Sequence, residues 1–377
     1  MLRFNAFRAA PLLRCNARCK STSTTAGGFP EKLAFAFDID GVLKQGPNVL
    51  PQARRALDML AGNNPWNRAI PYVLITNGGG VPDEDRRKAL SSELGHELSA
   101  DQLVQSHTPL KLLVKPYADK HVLCLGGKGD AIRRTALSYG LKNVWIAQDV
   151  VAWKQSVWPK TDLTPEDKKI VVSNDFSQTP ISAIFVMHDS RDWGRDVTLI
   201  CELLSSENGV FGTRRQEKKE MDSDDKNRSS VGSEGEEHMP LVFSNPDLEW
   251  QSDYPLPRLG QGAFRMSVET IYKATTGRDL PFVQYGKPHK ATYDFAESML
   301  RRHLKTLGRP NEHERLDVYM IGDNPESDIA GANAHGWNSV LLKTGVYRTG
   351  EPRHKPTSIA DDVEVAVRWA VERAARG

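Results

Sequence analysis

The amino-acid sequence predicts an α/β protein, with a Rossmann-like, doubly wound parallel-sheet core and an inserted α/β cap domain. Short apolar segments alternate with helical segments near both ends of the chain, and polar residues with glycines follow the apolar segments. A further group of apolar segments lies between these halves, and 377 residues exceed one typical domain. Alternation of strands and helices is typical of a parallel sheet covered on both faces. The intervening segments therefore indicate a second unit inserted into the first.

The first half of the predicted core contains two strand-and-helix units. Residues 33–37 are apolar and are followed by acidic residues and a glycine. This pattern predicts a buried parallel strand that ends before the acidic residues. Apolar residues at helical spacing predict a helix that starts at Pro51 and is followed by a glycine suited to its cap. Residues 72–75 predict the second strand, and a helix follows between about 83 and 95.

The second half of the core repeats this order near the other end of the chain. Residues 318–321 predict a strand, 322–328 a loop, 329–335 a helix closed by a glycine, and 339–342 another strand. Four more apolar segments lie between the halves, at 122–125, 143–147, 181–187 and 240–243. We therefore divide the chain into residues 32–112 for the first part of the core, 113–262 for the cap and 263–377 for the second part of the core.

The amino-terminal residues 1–30 are basic and contain no acidic residue, because the first one is Glu31. This composition is typical of a mitochondrial transit peptide, so we predict a mitochondrial protein, located in the matrix. A disordered basic tail is the alternative. Removal of the five positive charges of this segment takes the formal net charge of +2 below zero. No basic surplus then remains for nucleic acid, and we predict no nucleic-acid partner.

Two compositional features limit the remaining function classes. Residues 213–239 are rich in charged residues and serine and predict a disordered surface loop, with a regulatory or partner-binding role as the alternative. The longest apolar segments fall well short of the ~18 residues that a membrane helix requires, so we predict no transmembrane segment. The sequence is also compatible with a homodimer.

Asp38 and Asp40 lie two residues apart after the first strand, at the end where open α/β sheets bind ligands. A turn at Gly41 can direct both side chains to one site, where one carboxylate attacks while the other transfers a proton. The alternative interpretation is a loop that caps the following helix.

A second group of candidate residues follows the second strand, namely Thr76, Asn77 and Gly78. The glycines that begin there leave backbone N–H groups free to approach an anion closely, so the loop can hold a phosphate. A hairpin turn is the alternative, but the helix that follows disfavours it because hairpins join strands.

The third group lies in the second half of the core. Asp323 and Asp328 lie around the end of a strand and supply the hard oxygen ligands that Mg²⁺ prefers. The alternative for Asp328 is a helix cap. Lys287, between Gly286 and Pro288, can neutralise a phosphoryl group or a nucleophile, although a lysine before proline is ordinarily solvated.

These residues resemble the four ordered motifs of haloacid dehalogenase superfamily phosphatases. The motifs are Asp38-Ile39-Asp40-Gly41-Val42, Thr76-Asn77, Lys287, and Gly322-Asp323 with Asp328. The large insertion after the second motif resembles the class IIA branch of NagD-like and p-nitrophenyl phosphatase-like enzymes. Ser244-Asn245-Pro246-Asp247 is similar to a segment near the end of their caps. The segment from Val186 to Trp193, with the basic amino terminus, resembles the mitochondrial cat eye syndrome critical region protein 5 type.

The resemblance implies phosphoryl transfer through an aspartyl-phosphate, with the roles distributed over the residues named above. Asp38 would be the nucleophile and Asp40 the acid and base, while Lys287 would offset the negative charge. The phosphoryl group would be bound by the loop of Thr76, Asn77 and Gly78. The cofactor Mg²⁺ would be held by Asp38, the Asp40 carbonyl, Asp323 and Asp328.

The reaction type is better determined than the substrate, because the chemistry lies in the core loops while selectivity lies in the cap. The expected substrate class is a small phosphorylated metabolite. His188, Asp189 and Trp193 either line that pocket or form a buried structural cluster. Two other functions stay open. One is a phosphotransferase or mutase with the same intermediate, and the other is a non-catalytic mitochondrial binding protein linked to phospholipid metabolism.

Overall fold

A computed structural model describes residues 28–215, 238–250, 254, 256–309 and 314–376. Residues 1–27 of the predicted transit peptide and residues 216–237 of the predicted 213–239 loop lie outside these described residues. Within them, no helix combines the length and the apolar character needed to cross a membrane.

The strands and helices follow the order that the sequence predicts. The strands are β1 (Leu33–Phe37), β2 (Lys44–Gln45), β3 (Asn48–Val49), β4 (Tyr72–Ile75), β5 (Leu103–Val104), β6 (His121–Leu125), β7 (Asn143–Ile146), β8 (Ala183–Val186), β9 (Leu241–Phe243), β10 (Glu249–Trp250), β11 (Arg258–Leu259), β12 (Val283–Gln284), β13 (Asp317–Gly322), β14 (Asn338–Leu342) and β15 (Ser358–Ala360). The α-helices are α1 (Pro51–Ala61), α2 (Asp83–Leu94), α3 (Val114–Tyr117), α4 (Ala131–Ser138), α5 (Ala147–Trp153), α6 (Pro165–Ile170), α7 (Trp193–Ser205), α8 (Gln261–Thr276), α9 (Lys290–Thr306), α10 (Ala330–His335) and α11 (Val363–Ala375).

The core is a six-stranded parallel sheet in the order β15-β14-β13-β1-β4-β5. Along β1 the side chains alternate between two buried layers. Leu33, Phe35 and Phe37 pack towards α1 and α11, whereas Ala34 and Ala36 pack towards α9. Each face of the sheet is therefore covered by helices, as the doubly wound arrangement requires, and the predicted fold class is confirmed.

The inserted unit is a second parallel sheet, of five strands in the order β12-β9-β8-β6-β7. Helix α8 belongs to this unit, because its Phe264, Val268 and Tyr272 lie in the same buried cluster as Leu123 and Val186 of the sheet. Strand β12 pairs with β9 and extends the unit to residue 284. The predicted division between residues 262 and 263 therefore falls inside the cap unit, at the start of α8, and not at its end.

One local difference lies at the carboxyl end of β13. The predicted loop 322–328 is a short connection followed by a π-helical turn, Pro325–Ile329, which leads directly into α10. Asn324 caps this turn, since its side chain accepts a hydrogen bond from the Glu326 amide (2.9 Å). A single π turn of this kind is often found at functional sites, and this one contains Asp328.

Candidate active site

The candidate site lies where three adjacent core strands end. Strand β1 is flanked by β13 and β4, and Phe37 is in register with Ile321 and Leu74. Asp38 continues the pairing, because its amide donates to the carbonyl of Ile321 (3.0 Å). The residues that directly follow the three strands, Asp38, Thr76 and Asp323, are therefore brought to one edge of the sheet, as parallel pairing dictates.

Lys287 joins two of the carboxylates. Its ammonium Nζ lies 2.7 Å from Asp38 Oδ1 and 2.7 Å from Asp328 Oδ1. The lysine is only 1% exposed, so the alternative of a solvated lysine is wrong. A buried ammonium between two carboxylates compensates their charge directly, because little water reaches the group.

Asp328 is held from its second oxygen as well. Oδ2 accepts hydrogen bonds from the amides of Asp323 and Asn324 (3.1 Å each), so the side chain turns back towards the end of β13. Tyr293 of α9 fixes the same turn, because its hydroxyl donates to the carbonyls of Ser327 (3.0 Å) and Asp328 (3.2 Å). A simple cap of α10 does not describe Asp328, since its carboxylate bonds the strand-end amides and Lys287.

Asp38, Asp323 and Asp328 form one carboxylate cluster. Each offers an oxygen that lies within 4.8 Å of the others. Burial raises the pKa of Asp38, and it raises the pKa of Asp328 to about 6. The positive charge of Lys287 lowers both pKa values but only partly offsets the effect of burial. Burial and the charges of Asp38 and Asp328 raise the pKa of Asp323 well above its usual range. One ammonium therefore does not balance three carboxylates, and the cluster has the donor set that a hard divalent cation prefers.

The cluster is packed against glycines. Gly41 has a φ of +82°, and a Cβ there would lie 2.5 Å from Asp323 Oδ2. At Gly345, in the loop after β14, a Cβ would lie 1.7 Å from the same oxygen. This loop also orients Asp323, because Oδ2 accepts from the Val346 amide (2.6 Å). Gly345 therefore permits the close approach of the loop to the carboxylate.

Gly345→Ala is expected to weaken Mg²⁺ binding by about 10- to 100-fold, the range for changes that disorient a metal-ligating side chain. The added Cβ must displace Asp323 Oδ2 or the loop. The measurement is the rise in melting temperature across a Mg²⁺ titration. Gly28→Ala is the control, because a Cβ there meets no atom within 4 Å. An unchanged Mg²⁺ response in Gly345→Ala would show that this approach is not required.

The second motif forms a tight loop beside the cluster. The hydroxyl of Thr76 accepts a hydrogen bond from the Gly78 amide (2.9 Å), which leaves its own proton for another acceptor. Asn77 was predicted to bind substrate, but its side-chain amide forms hydrogen bonds with other residues of the protein. It bonds the main chain of Lys287 at N and O and the carboxylate of Asp247.

Asp40 lies apart from the buried carboxylates. It is exposed, in the turn between β1 and β2, where its main chain pairs with that of Lys44. Its charge nevertheless contributes to the raised pKa of Asp38. The structure thus brings Asp38, Lys287, Asp323 and Asp328 into direct contact or close proximity. Thr76, Asn77 and Gly78 lie on the neighbouring loop, and Asp40 lies in the exposed turn after β1.

The cap contacts the core at this edge. A Cβ on Gly80 would lie 2.1 Å from the ring of His188, so the histidine packs directly on the glycine loop. Asp189 is half-buried beside it, whereas Trp193 packs on Phe264 within the cap (5.5 Å between ring centroids). These residues therefore do not form one buried cluster. His188 contacts the core loop, whereas Trp193 packs inside the cap.

Three features of the site were not among the predicted site residues. The segment of Asp247 indicates no role for its carboxylate, Tyr293 resembles any aromatic residue on an amphipathic helix, and the loop of Gly345 contains none of the carboxylates of the cluster. The available signal for the loop was a glycine three residues after the end of β14. Nothing comparable marks Tyr293, because its role depends on the distant Asp328 turn.

The site combines the carboxylate of Asp38 with a buried lysine, at the carboxyl end of a doubly wound sheet that has an inserted α/β cap. This combination is that of a haloacid dehalogenase-type hydrolase. Family models agree: one described as haloacid dehalogenase-like hydrolase matches residues 35–142, and one described as HAD-hydrolase-like matches residues 284–366. The second match begins at the end of β12, where the second sheet ends.

Comparisons that cover about nine tenths of this chain support the same class. The chain is 37% identical to a mitochondrial hydrolase of Saccharomyces cerevisiae, over 91% of this chain and 96% of that protein. It is 42% identical to a cardiolipin synthase (CMP-forming) / mitochondrial hydrolase fusion protein of Schizosaccharomyces pombe, over 90% of this chain. The chain spans about half (53%) of that fusion protein. The structure of a 4-nitrophenylphosphatase from Thermotoga maritima has the same fold, with a TM-score of 0.54 and 16% identity over 90% of this chain and 98% of that one.

The chain belongs to the haloacid dehalogenase-like hydrolases. Its fold, with an α/β unit inserted between the two parts of the core, is shared with the solved structures of a putative nagD protein (TM-score 0.56, 16% identity) and of that 4-nitrophenylphosphatase.

Proposed function

We propose that this protein is a Mg²⁺-dependent phosphatase that cleaves a small phosphomonoester through an aspartyl-phosphate on Asp38. The observation that carries the proposal is the contact of the buried Lys287 ammonium with both Asp38 and Asp328. This arrangement leaves a carboxylate at the sheet edge that is partly compensated but still able to attack. The loop of Thr76 and its glycines lies beside it, where a phosphoryl group would bind.

The carboxylate cluster fits Mg²⁺ through the chemistry of its donors. Asp38, Asp323 and Asp328 supply hard oxygen ligands within one small volume, and together they exceed the charge of Lys287. We infer that these carboxylates and the Asp40 carbonyl would hold the ion. When bound, the ion would offset the negative charge of the phosphoryl oxygens.

The reaction would follow from the chain's own groups in two displacements. Asp38 would attack phosphorus to form a P–O bond as the bond to the leaving oxygen breaks, and Asp40 would give that oxygen a proton. Asp40 would then accept a proton from water, which attacks the phosphorus of the aspartyl-phosphate, releases inorganic phosphate and restores Asp38. The Thr76 hydroxyl, whose proton is free of the Gly78 contact, would donate to a phosphoryl oxygen.

The names of the relatives bear on location and substrate. Both yeast relatives are named mitochondrial hydrolases, and one is fused to a cardiolipin synthase described as CMP-forming. We therefore propose that this protein acts in mitochondria, in the matrix. The fusion favours a phosphomonoester connected with phospholipid synthesis, either CMP or a phosphorylated lipid head group. A non-catalytic role in the same setting is the second candidate, and it rests on the same fusion.

The direct test is phosphate release by residues 26–377, with Mg²⁺ and with EDTA. The panel contains sugar phosphates, CMP and other nucleotides, phosphoglycerol head groups in vesicles, and p-nitrophenyl phosphate. Release that requires Mg²⁺ is the expected result, and the panel ranks the substrates. Transfer of labelled phosphate to an added alcohol without release into water would indicate a phosphotransferase. Mg²⁺ binding without turnover on any substrate would favour the non-catalytic role.

Asp40→Asn is expected to lower kcat by about 10²- to 10⁴-fold on an alkyl phosphate, because the leaving alkoxide then lacks a proton donor. Cleavage of p-nitrophenyl phosphate should be much less affected in its first step, since p-nitrophenolate leaves without a proton. Hydrolysis of the intermediate still lacks its base. The measurement is therefore a rapid-mixing trace, which should show a burst of one p-nitrophenol per site and a slow steady state. Equal losses on both substrates without a burst would contradict the role of Asp40.

A further inference from the structure

The side-chain amide of Asn77 links three parts of the molecule: the phosphate-binding loop, the segment of Lys287 and the cap. Its Oδ1 accepts from the Lys287 amide (2.7 Å), and its Nδ2 donates to the Lys287 carbonyl (3.0 Å) and to Asp247 Oδ1 (3.0 Å). A primary amide has two N–H hydrogens, and both have an acceptor here. Asn77 is therefore engaged with the protein and has no donor left for substrate.

We propose that Asp247 of the cap is a positioning residue for Lys287 and that it acts through Asn77. Asp247 fixes the orientation of the Asn77 amide, and Asn77 in turn holds the main chain of Lys287 at both its N–H and its C=O. The seated cap thereby takes part in placing the lysine ammonium between Asp38 and Asp328. This proposal rests on the proposed function for the role of Lys287, but its geometry does not depend on the substrate.

The main chain of Lys287 needs such support because the residue is isolated from regular structure. It lies between β12 and α9, three residues after one and three before the other. The preceding residue, Gly286, fits closely, since a Cβ there would lie 2.5 Å from Pro246 and 3.2 Å from Asn77 Oδ1. The segment therefore packs between Asn77 and the loop of Asp247. Two hydrogen bonds from one amide fix both its position and its direction.

Asp247 is itself positioned by the cap. Its amide donates to Asn245 Oδ1 (2.8 Å), and its carbonyl accepts from the Gly262 amide at the start of α8 (2.8 Å). A Cβ at Gly262 would lie 2.1 Å from the carbonyl of Pro246, so helix and loop are in direct contact. The carboxylate that accepts the hydrogen bond from Asn77 thus belongs to a loop that packs against α8 of the cap.

The electrostatic surroundings of Asp247 agree with a position next to the site. Burial raises the pKa of Asp247 to about 6, with the Asn77 hydrogen bond and the charge of Lys287 opposing the rise and the charges of Asp328 and Asp189 adding to it. The hydrogen bond from Asn77 favours the ionised carboxylate, which is a stronger acceptor than a neutral group.

The experiment compares Asp247→Ala, Asp247→Asn and the control Asp279→Ala in the protein lacking residues 1–25. Asp247→Asn keeps a side-chain oxygen as acceptor, whereas Asp247→Ala removes it. Asp279 is a surface aspartate of the same unit, paired with Lys273. We expect Asp247→Ala to lower kcat by about 10- to 100-fold with little change in KM, as small displacements of a catalytic group do. Asp247→Asn should recover most of this loss, and Asp279→Ala should match the unaltered protein.

A double-mutant cycle with Asn77→Ala tests the route of the effect. If Asp247 acts through Asn77, the double variant loses no more activity than Asn77→Ala alone, because the two residues belong to one contact chain. Independent, multiplying losses would overturn the proposal. So would a large rise in KM at unchanged kcat for Asp247→Ala, which would mean that Asp247 binds substrate directly.

Amide hydrogen exchange at Lys287 separates this proposal from the proposed function. The Lys287 N–H is bonded to Asn77 Oδ1, so its exchange should accelerate about 10-fold or more in Asp247→Ala and remain slow in Asp247→Asn. This readout needs no turnover and is decisive even if no substrate in the panel is cleaved. Unchanged exchange at Lys287 in Asp247→Ala would overturn the positioning role.

Discussion

Asp38→Asn is expected to abolish phosphate release, with a fall in kcat of at least about 10³-fold, as removal of a covalent nucleophile does. The amide keeps the shape of the side chain, but its neutral oxygen is a far weaker nucleophile than the carboxylate oxygen that forms the P–O bond. The measurement is inorganic phosphate release under single-turnover conditions with Mg²⁺. Trapping of labelled aspartyl-phosphate by acid should fail in the same variant.

The fold of Asp38→Asn should remain intact, and this serves as the control. Burial raises the pKa of Asp38, so the ionised carboxylate is less favourable in the folded protein than in the unfolded chain. A neutral amide removes that unfavourable charge, and without metal the melting temperature should be unchanged or higher. Residual release within about tenfold of the unaltered protein would exclude Asp38 as the nucleophile.

Lys287→Met is expected to destabilise the metal-free protein by about 3–5 kcal/mol, the range for breaking a buried ion pair from one side. The ammonium is buried and lies 2.7 Å from both Asp38 and Asp328, which would be left uncompensated. Activity should be lost as well, because the variant cannot offset the charge that gathers around Asp38. The measurement is urea unfolding at several pH values with and without Mg²⁺.

The pH dependence of Lys287→Met has a definite sign. Removal of the lysine charge raises the pKa of Asp328 above its present value of about 6, so the folded protein disfavours ionisation more strongly than the unfolded chain. Unfolding free energy should therefore rise as pH falls from 8 towards 5, and Mg²⁺ should restore part of it at pH 8. Lys290→Met is the matched control, because this lysine is exposed and paired with Asp294, and the change should be below about 0.5 kcal/mol. Equal effects of the two substitutions would contradict the role of the buried ion pair.

The predicted parts of the site are those that strand polarity determines. Asp38, Thr76 and Asp323 each follow an apolar strand, and parallel strands present such residues at one edge, so their proximity followed from local sequence. The occupied amide of Asn77 could not be predicted in this way. Its partners lie 170 and 210 residues away, and the competition between substrate and protein for its hydrogen bonds depends on tertiary packing.

The cap boundary could not be located for a related reason. Helix α8 carries apolar residues at helical spacing, a pattern that suits either unit, and the partner surface decides which unit it covers. Strand β12 contains only two residues, too few for a periodic signal. Both elements join the second sheet through contacts with distant residues.

The position of β1 between β4 and β13 has a consequence for how the chain reaches its native state. On one side, strand β1 pairs with β4, which follows about forty residues later in the chain. On the other side it pairs with β13, where Leu33 is in register with Asp317, a residue near the other end of the chain. Closing so long a loop is slow, so one edge of β1, the strand that precedes Asp38, remains unpaired until residues 317–322 arrive. The second sheet, from β6 to β12, is complete before then and can fold first. During stepwise delivery of the chain, from amino to carboxyl end, this edge of β1 is therefore open to pairing with other chains until the last part of the core arrives.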